Sequence, residues 1–228
     1  MIRAILISLL LIAGCTKQYL TVFNGGAIVG DSTIASYSCG LQVRDWMLNS
    51  CDSVNGDFCN SLAVAGHTIA QQQTKFLTDN NREKYKYLIV EIGLNDLHFS
   101  ESATTAMVRY QKLIDTINAV NPTAKIIVSK MIPCKQRLIN VYGATNGLVS
   151  YNKWLAMNNA IMNTVTGVDY RISRHCDLLN DGNGNLKAIY DCGDGIHENN
   201  AARKIIAAEF RRALNVLGLL TCTTSLTK

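Results

Sequence analysis

Three short and nearly unbroken apolar runs constrain this chain more than any other feature. They are Ala27-Ile28-Val29, Tyr87-Leu88-Ile89-Val90-Glu91-Ile92 and Lys125-Ile126-Ile127-Val128-Ser129. A strand with one wet face alternates apolar and polar residues. A run that stays apolar along its length must be covered on both faces. Each run stops at turn formers: Gly30 after the first, Gly93 after the second, Pro133 soon after the third. These features predict strands of a parallel sheet, and the segments between them must supply the covering helices.

Those segments carry the expected pattern. Residues 34–48 place Leu41, Val43, Trp46 and Met47 at roughly helical spacing. Residues 103–120 form an amphipathic helix with Val108, Leu113, Ile114, Ile117 and Val120 on its apolar face, stopped by Asn121-Pro122. Residues 149–165 predict a further helix. A last one spans 199–217, with Ala202, Ile205, Ile206, Phe210, Ala213 and Leu217 on one side. Ser61-Leu62-Ala63-Val64-Ala65 reads as another strand, stopped by Gly66, and residues 168–172 as a fifth. Residues 180–195, rich in Asn, Gly and Asp, predict a long loop. The alternation runs without linker or repeat. It predicts one domain over residues 27–220, an α/β/α three-layer sandwich around a mostly parallel five-stranded sheet. A frayed tail is expected at 221–228.

Composition removes several classes of function. With 48% hydrophobic residues and only two prolines, the chain is neither disordered nor fibrous. The net charge of +5 is dispersed, and basic stretches such as Arg211-Arg212 are only pairs. No nucleic-acid footprint is present.

The N-terminus reads as a targeting segment. Arg3 precedes an uncharged apolar stretch over residues 4–12, too short to span a bilayer, which takes about 20 residues. This is the pattern of an export signal over residues 1–14. Leu11-Ile12-Ala13-Gly14-Cys15 resembles a bacterial lipobox. By that resemblance Cys15 carries lipid and becomes the mature N-terminus, with residues 15–26 as a short tether. The implied location is the bacterial cell envelope, and Thr16 is compatible with the outer membrane. The membrane would then be a partner through the anchor.

In open parallel sheets, ligands bind beyond the carboxyl ends of the strands. Three such ends carry unusual residues: Gly30-Asp31-Ser32, then Gly66-His67, then Gly93-Leu94-Asn95-Asp96. Far downstream, before the last helix, sits Asp194-Gly195-Ile196-His197. A serine hydroxyl is a poor nucleophile until an adjacent base takes its proton. His197 is the candidate base for Ser32. Asp194, three residues earlier, can hold one imidazole nitrogen and stabilise the imidazolium. Taken separately, Ser32 suits a helix N-cap, Gly66 a plain turn and Asn95 an Asx-turn. Asp31 and Asp96 read as turn-shaping acceptors.

Together these four blocks resemble the SGNH hydrolases, also called the GDSL family, in order and in place relative to the strands. The resemblance covers essentially the whole chain after Cys15. It implies a flavodoxin-like fold and a serine ester hydrolase with Ser32, Asp194 and His197 as catalytic residues. It also implies an oxyanion hole made by the Ser32 and Gly66 amides and the Asn95 side chain. Neither cofactor nor metal is implied. The substrate is an ester, small or on a carbohydrate. The chain has no long apolar lid, which favours acetyl or other short acyl groups. Alternatives on the same fold are a lipase, lysophospholipase or thioesterase, and a non-catalytic binding module. Oligomeric state is not readable.

Asp181-Gly182-Asn183-Gly184-Asn185 opens like a calcium loop, but Leu186 and Cys192 stand where that loop requires Gly and Glu. His67, His98 and His175 lack metal-ligand spacing and read as surface or loop residues, with His67 able to line the pocket. Eight cysteines minus a lipidated Cys15 leave an odd seven: Cys39, Cys51, Cys59, Cys134, Cys176, Cys192 and Cys222. Export would allow disulfides among them. A Cys176–Cys192 bridge would brace the catalytic turn, and the pairing is otherwise open.

Overall fold

Among the described residues five strands build one sheet in the order β2-β1-β3-β4-β5, and every neighbouring pair is parallel. They are β1 (Ala27–Gly30), β2 (Asn60–Ser61), β3 (Tyr87–Glu91), β4 (Lys125–Ser129) and β5 (Tyr170–Ile172). The computed structural model describes residues 25–35, 39, 42–48, 59–98 and 102–219. The export signal at 1–14, Cys15, most of the tether, Cys51, Cys222 and the tail at 221–228 lie outside the described residues.

The apolar runs behave as their composition demands. Every residue of β1 and β3 is buried, and in β4 only Lys125 is exposed. Leu88, Ile89 and Val90 are fully inaccessible. Each such side chain contributes roughly 1.5–3 kcal/mol by leaving water.

The helices are α1 (Val43–Leu48), α2 (Ile69–Thr78), α3 (Leu94–His98), α4 (Ala103–Val120), α5 (Lys135–Asn163), α6 (Arg174–Leu179) and α7 (Asn200–Val216). Helix α2 packs on α4, and α4 on α5. On the opposite face α1 packs on α7, where the Lys204 ammonium sits 4.3 Å from the Trp46 ring centre. Right-handed crossovers in this strand order require that division. Among the described residues no helix is long and apolar enough to cross a membrane.

Several expectations need correction. Among the described residues of 34–48 regular helix is found in α1, and Ile34 and Ala35 belong to a turn after Ser32. The expected strand 61–65 is regular only at Asn60–Ser61, because it lies at the sheet margin. The chain still follows β1 beyond it, with Leu62 N–H donating to Ile28 O and Val64 N–H to Gly30 O. The helix expected at 149–165 begins at Lys135 and is interrupted at Gly143, where φ is 77°. His175 is fully buried in α6 rather than on the surface. The loop at 180–195 holds one short 3-10 turn at Ala188–Tyr190.

Candidate active site

Ser32 sits two residues past the end of β1, on a single helical turn. The Asp31 carbonyl accepts from the Ile34 and Ala35 amides at 3.2 and 2.9 Å. The buried Asp31 carboxylate accepts from the Thr33 amide and hydroxyl at 3.1 and 3.0 Å. Both ends of the turn are therefore held from within, and Ser32 is left half-buried at its tip.

The Asp194–His197 turn is organised by a residue the sequence did not single out. Asp191 accepts from the amides of Gly193, Asp194 and Gly195 at 2.9–3.2 Å. Gly193 and Gly195 have φ of 100° and 79°, left-handed values that side chains resist, so glycine lets the chain close around Asp191. The turn is sealed at its base, where the Cys192 amide donates to His197 O at 2.8 Å. Asp194 Oδ1 accepts from the amides of Ile196 and His197 at 3.1 and 2.9 Å. Its Oδ2 lies 2.5 Å from His197 Nδ1. The far ring nitrogen, Nε2, lies 3.0 Å from Ser32 Oγ. Partial burial pushes the Asp194 carboxyl up, but the amide donors and the His197 ring outweigh it and hold it below the usual carboxylate range. The three residues predicted from sequence thus form one continuous hydrogen-bonded relay. Such a relay can take a proton from a hydroxyl while a fixed anion steadies the imidazolium.

Gly66 follows the β2 segment and Asn95 lies on α3, just past β3. Their strands flank β1, so both meet the Ser32 side of the sheet. Gly66 has φ of 78° and open space where a Cβ would sit. Its backbone conformation, not crowding, calls for glycine. Asn95 Nδ2 donates to His67 O at 3.0 Å, which ties the two loops together and leaves its second N–H available. Asp96 caps another element, since its Oδ2 accepts from Ile69 N–H at the start of α2. Asp181 is occupied within its own loop by Asn183 and Asn185.

Beneath the strand ends lies a buried polar floor that sequence reasoning missed. Gln72, from α2, donates through Nε2 to Leu62 O at 2.9 Å and also to Gly30 O. Ser129 Oγ donates to Glu91 Oε2 at 2.5 Å. His175 Nε2 lies 3.3 Å from that oxygen and 2.9 Å from Lys130 O. Glu198, next to His197, is wholly buried with Arg203 nearby. Burial pushes the Glu198 carboxyl well up against the attraction of Arg203. Burial likewise pushes Asp31 up from 3.8 to about 6, despite the Thr33 bonds.

The cysteines depart from the pairing considered above. Cys192 is bonded to Cys39, with Cα atoms 5.9 Å apart, and not to Cys176. Cys176 is buried in α6 as a free thiol, as are Cys59 and Cys134 elsewhere. Burial pushes the Cys59 and Cys176 thiols up to about 12.

A parallel α/β sheet with a serine–histidine–aspartate relay at its strand ends defines an SGNH-type hydrolase. The sequence matches the GDSL-like lipase/acylhydrolase family over residues 28–205, and the chain belongs to that family. It is accordingly a hydrolase of the esterase and acylhydrolase class. No curated protein matches the sequence. Solved structures share the fold at low identity. A mutant acetyl esterase with an acetate ion is 18% identical with a TM-score of 0.60, over 85% of this chain and 97% of that one. A carbohydrate esterase of family 3 from Talaromyces cellulolyticus is 17% identical with a TM-score of 0.61, over 86% and 100%. A psychrotrophic esterase from Pseudoalteromonas, inhibited by monoethylphosphonate, is 16% identical with a TM-score of 0.63, over 85% and 98%.

Proposed function

We propose that the protein is a serine esterase that removes acetyl or other short acyl groups from a carbohydrate or small ester. The observation that carries this reading is the unbroken relay from Ser32 Oγ through His197 to Asp194. Ser32 Oγ attacks the ester carbonyl while His197 Nε2 takes its proton. The oxyanion of the tetrahedral intermediate is met by the Ser32 and Gly66 amides and the free N–H of Asn95. Collapse breaks the ester bond, and His197 returns the proton to the departing alcohol. Water then attacks the acyl-Ser32 with His197 taking its proton. The intermediate collapses as His197 passes that proton to the departing Ser32 Oγ, and a carboxylic acid leaves. Asp194 keeps the imidazole in one tautomer throughout.

The acetyl and carbohydrate esterases among the structural neighbours support a short acyl group and a sugar-borne ester. The test is hydrolysis of p-nitrophenyl esters of increasing chain length and of acetylated sugars, by wild type and Ser32→Ala. Wild type is expected to favour acetate, and the variant to lose turnover and fluorophosphonate labelling while keeping its circular dichroism. Unchanged turnover in the variant overturns the assignment. A rate that climbs with chain length replaces it with a lipase.

The lipobox-like segment supports export to the bacterial cell envelope with a lipid on Cys15. Mass spectrometry of the mature N-terminus decides this, and an unmodified Cys15 ends the anchoring proposal.

A further inference from the structure

Ser32 and His197 are 165 residues apart in sequence, yet the reaction depends on the 3.0 Å contact between them. The turn bearing His197 is stiff within itself, because the Asp191 carboxylate gathers three of its amides and Cys192 N–H closes its base on His197 O. A stiff turn can still tilt as a unit about its base. Cys192 is part of that unit, and Cys39 lies seven residues beyond Ser32 on the nucleophile's own strand exit. The disulfide between them therefore joins the two halves of the relay at its edge. It closes a covalent path from Ser32 to Cys39, across to Cys192 and on to His197, and the Ser32–His197 hydrogen bond completes the ring.

We propose that the Cys39–Cys192 bridge positions the His197 turn over Ser32, so that turnover depends on the bridge's redox state. This rests on the serine-esterase reading above. Cys39 is exposed, so a small thiolate can reach it. An external dithiol would attack Cys39 Sγ, break the S–S bond and release Cys192 as thiolate. Its second thiol then displaces Cys39, leaving two protein thiols and one oxidised dithiol. The described free cysteines are poor competitors. Cys59, Cys134 and Cys176 are buried with thiols pushed up, and only a thiolate attacks a disulfide. Among the described cysteines, then, the bridge opens and recloses between the same partners.

The test compares oxidised protein with protein reduced by dithiothreitol and alkylated, and with the Cys39→Ser/Cys192→Ser variant. Peptide mapping reports the linkage, p-nitrophenyl acetate gives kcat and KM, and hydrogen exchange follows the turn at 192–197. Reduced and variant proteins should show kcat lower by about tenfold or more with KM within about threefold, since a displacement near 1 Å is that costly to a positioned reaction. Exchange should quicken in the turn and not in β3 or β4, and reoxidation of reduced, unalkylated protein should restore turnover. Equal kcat and equal exchange overturn the proposal, as does a map with no 39–192 linkage. Absence of hydrolysis even in oxidised protein would sink the esterase reading. Exchange at 192–197 would then decide alone whether the bridge holds the turn.

Discussion

At the scale of single residues, Asn95 does two jobs with one amide. One N–H holds the His67 carbonyl, and the other, on the proposed reading, is left for the oxyanion. Asn95→Ala should lower kcat by about 10²–10³ with a smaller effect on KM, because the donor matters most once charge has developed. Steady-state kinetics on a p-nitrophenyl ester would check it, and a loss confined to KM would contradict the role. Ser32, Asp194 and His197, which the fold joins in one relay, were legible in the sequence because each falls in a short block beside a strand end or helix start. Asp191, Gln72 and Glu198 were not. Asp191 becomes important only once two left-handed glycines wrap the chain around it. Gln72 reads as one of three consecutive glutamines on a polar segment. The partner of Cys192 was equally hidden, since 153 residues separate it from Cys39.

Elements were legible in proportion to how much of their pattern is local. Helix α4 and strand β4 match expectation in their bounds, one with an Asn-Pro stop and the other an unbroken apolar run. But Val108, expected on the apolar face of α4, is 66% exposed, while Ala106 and Tyr110 are buried beside Leu113, Ile114 and Ile117. Helix α2 escaped because it buries only Ile69, Gln72 and Phe76. Its local signature is the Thr68–Gln71 capping box, in which each side chain meets the other's backbone amide. The first part of α5 escaped because Gly143 breaks the periodicity. The contribution of α2 is testable. Gln72 reaches across to Gly30 O and Leu62 O, and so clips the exits of β1 and β2 together. Gln72→Leu keeps the volume but removes both donors. It should cost about 1–3 kcal/mol in urea unfolding. A change under ~0.5 kcal/mol would show that the clip is dispensable.

For the whole molecule, the polar floor makes stability a function of pH. Asp31 has its carboxyl raised from 3.8 to about 6, so between those values the folded chain binds more protons than the unfolded one. Stability contributed by its protonated form is therefore full below about 4 and declines as pH rises to about 6, by up to ~3 kcal/mol. Glu198 acts in the same direction from its ordinary value upward. Asp194, with a lowered carboxyl, acts oppositely and loses its contribution only in stronger acid. Asp31→Asn should flatten the decline between pH 4 and 6, as read from denaturation midpoints across that range. An unchanged slope would remove Asp31 from the account.

The sheet has two very short margins, β2 with two residues and β5 with three. Between them the longer strands are paired on both sides, so their backbone groups are already committed. Among the described residues, a neighbouring molecule that tried to extend the sheet would find only short ladders to lengthen, three residues at β5 and the 60–64 segment beside β1. Such short margins give another chain little template for fibrous growth.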